Sequence, residues 1–455
     1  MIPLSDWLNM PWVAGAILAL MICAELWFKI GKPPVEYTRK LVHLGSGFIT
    51  LSFCFLFSSH WSILILCVLF VALLSVTRYL GILKSVHAIK RKSEGALYFP
   101  LATYLAFLFS WFLGQPAFYF IAIAVLSTSD TIAALVGGHY GLNKYHAEDD
   151  KKSIEGSVMF FLSCYLIVHI TLLLWTDTTR INCVLAALWV AVLATLFEAI
   201  SVRGTDNFWI PIGTCYFLWK IVFKSTDVIL TDLAFLFASI IVSLLTLLPR
   251  RKLDLSAIAG VGLLLYSSFR LPESWSWGIP VLTVMLLFNY GGVIREKYLE
   301  KRFQIRAVFY TLGATAFWII AGNLFPARVE HIKTLSFLIT LGAVISIGWG
   351  VVKHKVRPGA LLSAAALKDT GLRTLLMTIL LPLPQIIFYK ELRQPMPFII
   401  YMAGVFIADR VTIWFFNRYP GKALIVKLRI AFCVTLLVSC LAFSAYAWVL
   451  MRAGS

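Results

Sequence analysis

Residues 151–175 read KKSIEGSVMFFLSCYLIVHITLLLW. From Val158 onward this stretch carries no Asp, Glu, Lys or Arg. A membrane-spanning helix needs roughly 20 mostly apolar residues. Backbone groups in lipid must bond within their own segment, which favours helices. The run also lacks the strict two-residue alternation of a membrane barrel. Similar runs recur along all 455 residues, of which 60% are hydrophobic and 14% charged. They begin near Trp12, Leu41, Ile63, Leu97, Ala117, Val158, Ile181, Phe208, Ile229, Leu255, Trp277, Ala307, Leu335, Leu375, Pro397 and Ile425. The fold class expected is therefore all-α: a polytopic integral membrane protein with roughly 15–16 transmembrane helices. The run from Phe208 is short and carries Lys220. The run from Trp12 has no preceding Lys or Arg and no small-residue cleavage site, so it reads as a retained first helix.

The formal charge of +18 belongs to the loops. Basic loops at 29–40, 78–92, 250–252, 295–302, 353–357 and 418–422 alternate with nearly neutral ones at 58–60, 114–116 and 176–180. Basic loops mark the cytoplasmic side, so in a cell (inner) membrane the N-terminus is expected outside and the basic loops and polar motifs facing the cytoplasm. No soluble domain exists to carry nucleic acid, and no such partner is expected. The eight cysteines lie singly, with no CxxC pair to suggest disulfides or zinc. "LLPRRKLDLS", 247–256, combines proline with a charge run. It suggests two membrane domains, 1–250 and 251–455, the second of unknown role.

Polar residues that carry chemistry all precede that boundary. Arg39 and His43 in RKLVH are four apart and share a helix face. A snorkelling arginine with an incidental histidine would look the same. Lys90, Arg91 and Lys92 precede Glu94, which suits a helix N-terminus. Asp130 lies inside the run from Ala117, where a charge costs at least about 2.5–3.5 kcal/mol and is a functional candidate by default, the alternatives being a structural ion pair or an interfacial position if the helix ends near Ser127. Gly137, Gly138 and Gly141 follow it. Glycines let a backbone approach phosphate, or simply end a helix. Lys151 and Lys152 precede Ser153, which can cap the next helix and leave a positive dipole end beside two lysines. Glu198 closes one run, and Asp206 and Asn207 open the next segment. Their oxygens suit Mg2+, or form an ordinary turn. Acids for a metal, lysines for phosphates and a base near an alcohol are the parts phosphoryl transfer requires.

Four elements, RKLVH (39–43), SDTIAALVGGHYG (129–141), KKSIEGS (151–157) and EAISVRGTDNFWIP (198–211), occur in the order and spacing of a known family, with EGALYFPL (94–101) a further match. The first half of the chain resembles the polyprenol kinase family: dolichol kinase, phytol and farnesol kinase, and CTP-dependent diacylglycerol kinase. The resemblance implies transfer of a γ-phosphate from CTP or ATP, with Mg2+, to a membrane-embedded lipid alcohol (phytol, farnesol, a polyprenol or diacylglycerol) at the cytoplasmic face. It implies a nucleotide and phosphate site of Arg39, Gly137, Gly141, Lys151, Lys152, Ser153, Glu155 and Gly156. It implies catalytic roles for Asp130, His43, Glu198 and Asp206, and metal ligation by Asp130, Asp206 and Asn207. His43, Glu198 and Asp206 all remain candidates for the base. Ser129 stands where the family commonly has glycine, and HAEDD (146–150) sets three acids before the lysines, which should lower the local positive potential. Two other readings fit intramembrane charge: a phosphatidate cytidylyltransferase, and a lipid transporter or scramblase. In the second half, Asp409–Arg410 reads as an internal ion pair and KHKVRPG (353–359) as a basic loop.

Overall fold

The computed structural model describes residues 2–87, 94–148, 150–249, 252–270, 277–290, 303–324, 334–344, 395–419 and 424–453. Helices dominate. The first compact unit, Met1–Leu233, contains α1 (Leu4–Gly31), α2 (Val35–Leu51), α3 (His60–Tyr79) and α4 (Gly95–Leu113). It continues with α5 (Pro116–Ala124), a π turn (Val125–Ser129) and α6 (Asp130–His139) as one unbroken segment. A hairpin, β1 (Lys144–Ala147) and β2 (Asp150–Ser153), then leads into α7 (Ile154–Trp175), α8 (Arg180–Ile200) and α9 (Asp206–Ile221). Helix α10 (Thr226–Leu247) runs across the division between units.

Local chemistry sets the boundaries. Pro33 and Pro34 precede α2, and Pro116 sits in the first turn of α5, where its missing N–H has no cost. Gly114 ends α4 in the left-handed region (φ +64°). Ser153 caps α7 as the sequence suggests, its Oγ accepting from the Gly156 N–H at 3.1 Å.

The order of helices gathers alternate ends. At one end of the unit lie the start of α2, the end of α3, the start of α4, the end of α6, the hairpin, the start of α7, the end of α8 and the start of α9. At the other, the buried Asp6 carboxylate of α1 accepts from Ser58 N (3.3 Å), Ser59 N (3.1 Å) and Ser62 Oγ (2.6 Å) at the start of α3. Helix α6 packs on α7, α7 on α8, α9 on α4, and α2 on α1 and α5. The polar motifs, separated by up to about 170 residues of chain, therefore meet at one end of a helical bundle.

The second unit, Ala234–Ser455, contains α11 (Leu255–Arg270), α12 (Gly278–Tyr290), α13 (Ile305–Leu324), α14 (Thr334–Val344), α15 (Pro395–Arg418) and α16 (Leu424–Ala453). Ala343, Ala408, Phe416, Leu428 and Ala431 form a buried cluster. Asp409 is buried and pairs with Arg410, as the sequence suggests. KHKVRPG and the run from Leu375 lie outside the described residues.

Among the described residues, nine helices are long and apolar enough to cross a membrane, and four further apolar helices are shorter. Helices α2 and α9 have 17 and 16 residues. The chain is thus an all-α polytopic integral membrane protein. Every expected run within the described residues coincides with a helix. The division between units falls at Leu233/Ala234, inside α10, whereas the proline and charge run lies at 247–256.

Candidate active site

Asp130 sits just after the π turn, well inside the Pro116–His139 segment, and is buried. Its Oδ2 accepts from Lys40 Nζ at 2.5 Å and lies 3.3 Å from His43 Nε2. Lys40 and His43 come from α2, one turn apart on a shared face. The π turn spaces its hydrogen bonds five residues apart rather than four. In that turn the Leu126 carbonyl lies 3.2 Å from His43 Nε2. A carbonyl can only accept, so Nε2 carries the proton and Nδ1 is left as the acceptor. Close approach of α2 to the π turn requires Gly47, because a Cβ there would run into the Ser127 Cβ.

A second buried pair stands beside the hairpin. Lys152 Nζ donates to Glu198 Oε1 at 2.8 Å and also to the Glu198 carbonyl. Ser157 Oγ donates to Glu198 Oε2 at 3.3 Å, and Tyr145 Oη bonds Ser157 Oγ at 2.8 Å. Burial alone would disfavour the Lys152 ammonium. The Glu198 carboxylate, with Asp206 beyond it, outweighs that effect and raises the lysine pKa.

Arg39 takes a different partner from Lys40. It pairs with Glu36 (Nη2–Oε1 2.5 Å, Nε–Oε2 3.2 Å) and feels the charges of Asp130 and Asp206. Asp206 opens α9, and its Oδ1 accepts from Asn207 N at 2.9 Å. No cation lies within ion-pairing distance of Asp206 among the described residues. The Asn207 amide donates to the Gly95 carbonyl at 2.9 Å, tying α9 to the start of α4. Gly95 has no room for a side chain, since a Cβ would sit 2.8 Å from Asn207 Nδ2.

The glycines have a packing role that the sequence could not separate from phosphate binding. A Cβ on Gly156 would sit 2.9 Å from the Ala133 carbonyl oxygen and 3.3 Å from Gly137 Cα. A Cβ on Gly141 would run into the Gly137 carbonyl oxygen, and Ser153 Oγ lies 2.6 Å from the same position. These residues let α6, the hairpin and α7 cross at backbone contact. Lys151 is exposed on the hairpin, opposite His146. Glu155 accepts from Asn143 N (3.1 Å) and Nδ2 (2.9 Å), which fixes the hairpin to α7. Both stand apart from the two buried pairs. The acids of HAEDD do not simply oppose the lysines. Glu148 pairs with Arg203 at 2.7 Å, and Asp150 Oδ2 accepts from Arg203 N at 3.0 Å. They anchor the hairpin to the α8–α9 turn. Asp149 lies outside the described residues.

A cavity of about 310 Å³ opens beside these groups, between α1, α2, α3 and α4. Arg39, His43, Arg78, Glu94 and Asn207 line its polar end. Thr50, Phe53, Leu66, Cys67 and Phe70 line the apolar remainder. Glu198 and Asp206 are not among its walls. Glu94 stands at the start of α4 without capping it. Its carboxylate instead takes the Arg78 guanidinium in a two-pronged pair (Nη2–Oε1 3.0 Å), and that contact lowers its pKa.

Among the described residues, no three His, Cys, Asp or Glu side chains converge as a metal-ligating group. Mg2+ needs fewer, since it binds through one or two carboxylates plus phosphates and water. Asp206, a carboxylate with no cation paired to it among the described residues, fits that requirement, with Asn207 next to it in the chain. Asp130 fits it less well, because Oδ2 is already taken by Lys40 and His43.

Sequence reasoning missed Lys40, Ser157, Tyr145 and Arg78. A signal for Lys40 was present. Lys40, His43, Gly47 and Thr50 follow one another three or four apart along one face of α2, and all are buried.

A phytol kinase from Synechocystis sp. is 32% identical to this chain over 214 residues, covering 47% of this chain and 91% of that protein. No family model matches the chain. No solved structure matches it. With almost the whole length of that relative matched, and with the motif residues gathered at one end of the bundle, the chain belongs, over that part, to the polyprenol and phytol kinase family, whose reaction is phosphorylation of an alcohol.

Proposed function

We propose that the chain transfers the γ-phosphate of CTP or ATP to an isoprenoid alcohol of the phytol class, at the cytoplasmic face of a cell membrane. The cavity carries this reading. Its apolar walls suit a branched hydrocarbon tail, and its polar end brings a hydroxyl to His43. The relative's printed name supports phytol over diacylglycerol. The basic ends of α1, α2 and α3 support the cytoplasmic side.

In this reading His43 is the base. It lines the cavity, whereas Glu198 and Asp206 do not. Its Nε2–H is held by the Leu126 carbonyl and Asp130, so Nδ1 is free to accept the hydroxyl proton. The hydroxyl oxygen then bonds to the γ-phosphorus, the bond to the bridging oxygen breaks, and the nucleoside diphosphate leaves. Lys40 keeps Asp130 charged and fixed; Asp130 orients the imidazole. Arg39 and Lys152 draw the phosphates to this end of the bundle. Asp206 and Asn207 would hold Mg2+, which neutralises charge on phosphate oxygens.

A diazirine-bearing isoprenoid alcohol, photolysed with the purified protein, tests the cavity assignment. Labelling should fall on α2, α3 and α4 and be displaced by phytol. Labelling confined to other helices, or undisplaced by phytol, would sink it.

A further inference from the structure

The polar end of the cavity carries two guanidiniums, which a neutral alcohol does not need. Arg39 and Arg78 both line it, on α2 and at the end of α3. A lipid alcohol is neutral, but its phosphorylated product carries nearly two negative charges on the same tail. Guanidinium groups match phosphate with two parallel hydrogen bonds. Each of these guanidiniums is held by a carboxylate that solvent reaches. Side chains of Arg78 and Glu94 are 42% and 44% exposed, and Glu36 beside Arg39 is 47% exposed. The Arg78–Glu94 pair, exposed on both sides, contributes little, so its exchange for a stronger partner is easy; the Arg39 side chain is only 16% exposed. The Lys40–Asp130 and Lys152–Glu198 pairs are buried and do not share this property. Lys152 is also absent from the cavity walls, so of the two cations assigned to the nucleotide only Arg39 stands beside Arg78.

We propose that Arg78, with Arg39, binds the phosphate of the lipid monophosphate product, and that Glu94 is the carboxylate it displaces from Arg78. This assignment rests on the kinase reading. Arg78 and Glu94 then act in opposite directions on product affinity. The guanidinium holds the phosphate; the carboxylate competes with it and repels it. The kinase would release product slowly by default, with Glu94 driving release by reclaiming Arg78.

Purified full-length protein in detergent is titrated with labelled farnesyl monophosphate, without nucleotide, and separately with labelled farnesol. Arg78→Gln should weaken monophosphate binding about tenfold or more, as expected for a charge-assisted pair of hydrogen bonds. Farnesol affinity should stay within about twofold, because the alcohol has no charge to lose. Arg78→Lys should recover part of the loss. Glu94→Gln should tighten monophosphate binding and deepen product inhibition. A pair that only clamps α3 to α4 makes Arg78→Gln and Glu94→Gln change in the same direction, and that result overturns the proposal. So does an Arg78→Gln variant whose KM rises for nucleotide while monophosphate binding is unchanged. If wild type transfers no label to any lipid alcohol, the kinase reading fails whatever the binding data show. If wild type transfers label normally and the two variants move together, only the Arg78 assignment fails.

Discussion

Replacing Lys40 by Met tests the buried pair at the centre of the site. The lysine and Asp130 side chains are 5% and 11% exposed, and their contact is 2.5 Å. Removing one partner leaves a carboxylate in a nearly dry site with a histidine N–H beside it and the Arg39 charge farther off. Breaking a buried pair this way costs about 3–5 kcal/mol. For a unit of this size that corresponds to a fall in melting temperature of roughly 6–20 °C. Replacing both partners, Lys40→Met with Asp130→Asn, removes the stranded charge and should restore most of the loss. Activity should not return, since the imidazole is no longer backed by a carboxylate. Thermal unfolding of the purified protein in one detergent, with phosphoryl transfer measured in parallel, gives both readouts. A single variant melting within a degree or two of wild type would refute the reasoning, as would a double variant no more stable than the single.

Three other substitutions probe separate parts of the account. His43→Asn should lower turnover by about 10²–10⁴-fold, the usual contribution of a general base, with nucleotide KM little changed; retained turnover would return the role to another group. Gly47→Ala should destabilise the α2 contact with the π turn by about 1–3 kcal/mol, and Ser127→Gly should relieve it, read as melting temperature; equal effects with and without Ser127→Gly would dismiss the contact. Lys152 has a raised pKa in the folded chain, so its ion pair contributes fully below the unfolded value near about 10.4 and is lost only as pH rises through the higher folded value. The melting difference between wild type and Lys152→Met should therefore stay constant from about pH 6 to pH 9, where both lysine states remain protonated; a difference that shrinks toward pH 9 would contradict the pairing with Glu198.

Much of the architecture was legible because hydrophobic length is a strong signal. The run from Val158 gives α7 directly, and Ser153 marks its start. Asp130 was legible because a carboxylate inside an apolar run is expensive unless something meets it. Its partner was harder to read. Lys40 follows Arg39 in a basic stretch, and sequence does not say which of two adjacent cations turns inward. The hairpin was hidden inside a polar connection. Only Tyr145 and Ala147 alternate inward along β1, too short a pattern to separate from a loop. Gly137, Gly141 and Gly156 illustrate a different limit. Glycine allows close approach to phosphate and to another helix equally well, and here it is the helix crossing that occupies the space. Arg78 and Glu94 lie 16 residues apart at two helix ends, so their pairing depends on how α3 and α4 pack.

Incubating the purified protein with Mg2+, phytol and either γ-labelled CTP or γ-labelled ATP tests the central claim most directly. The account predicts label in the lipid phase as a monoester, with one nucleotide preferred and the transfer abolished by Asp130→Asn. Folded protein that leaves all label in the aqueous phase, with phytol, farnesol and a long polyprenol each dispersed in turn, would contradict it.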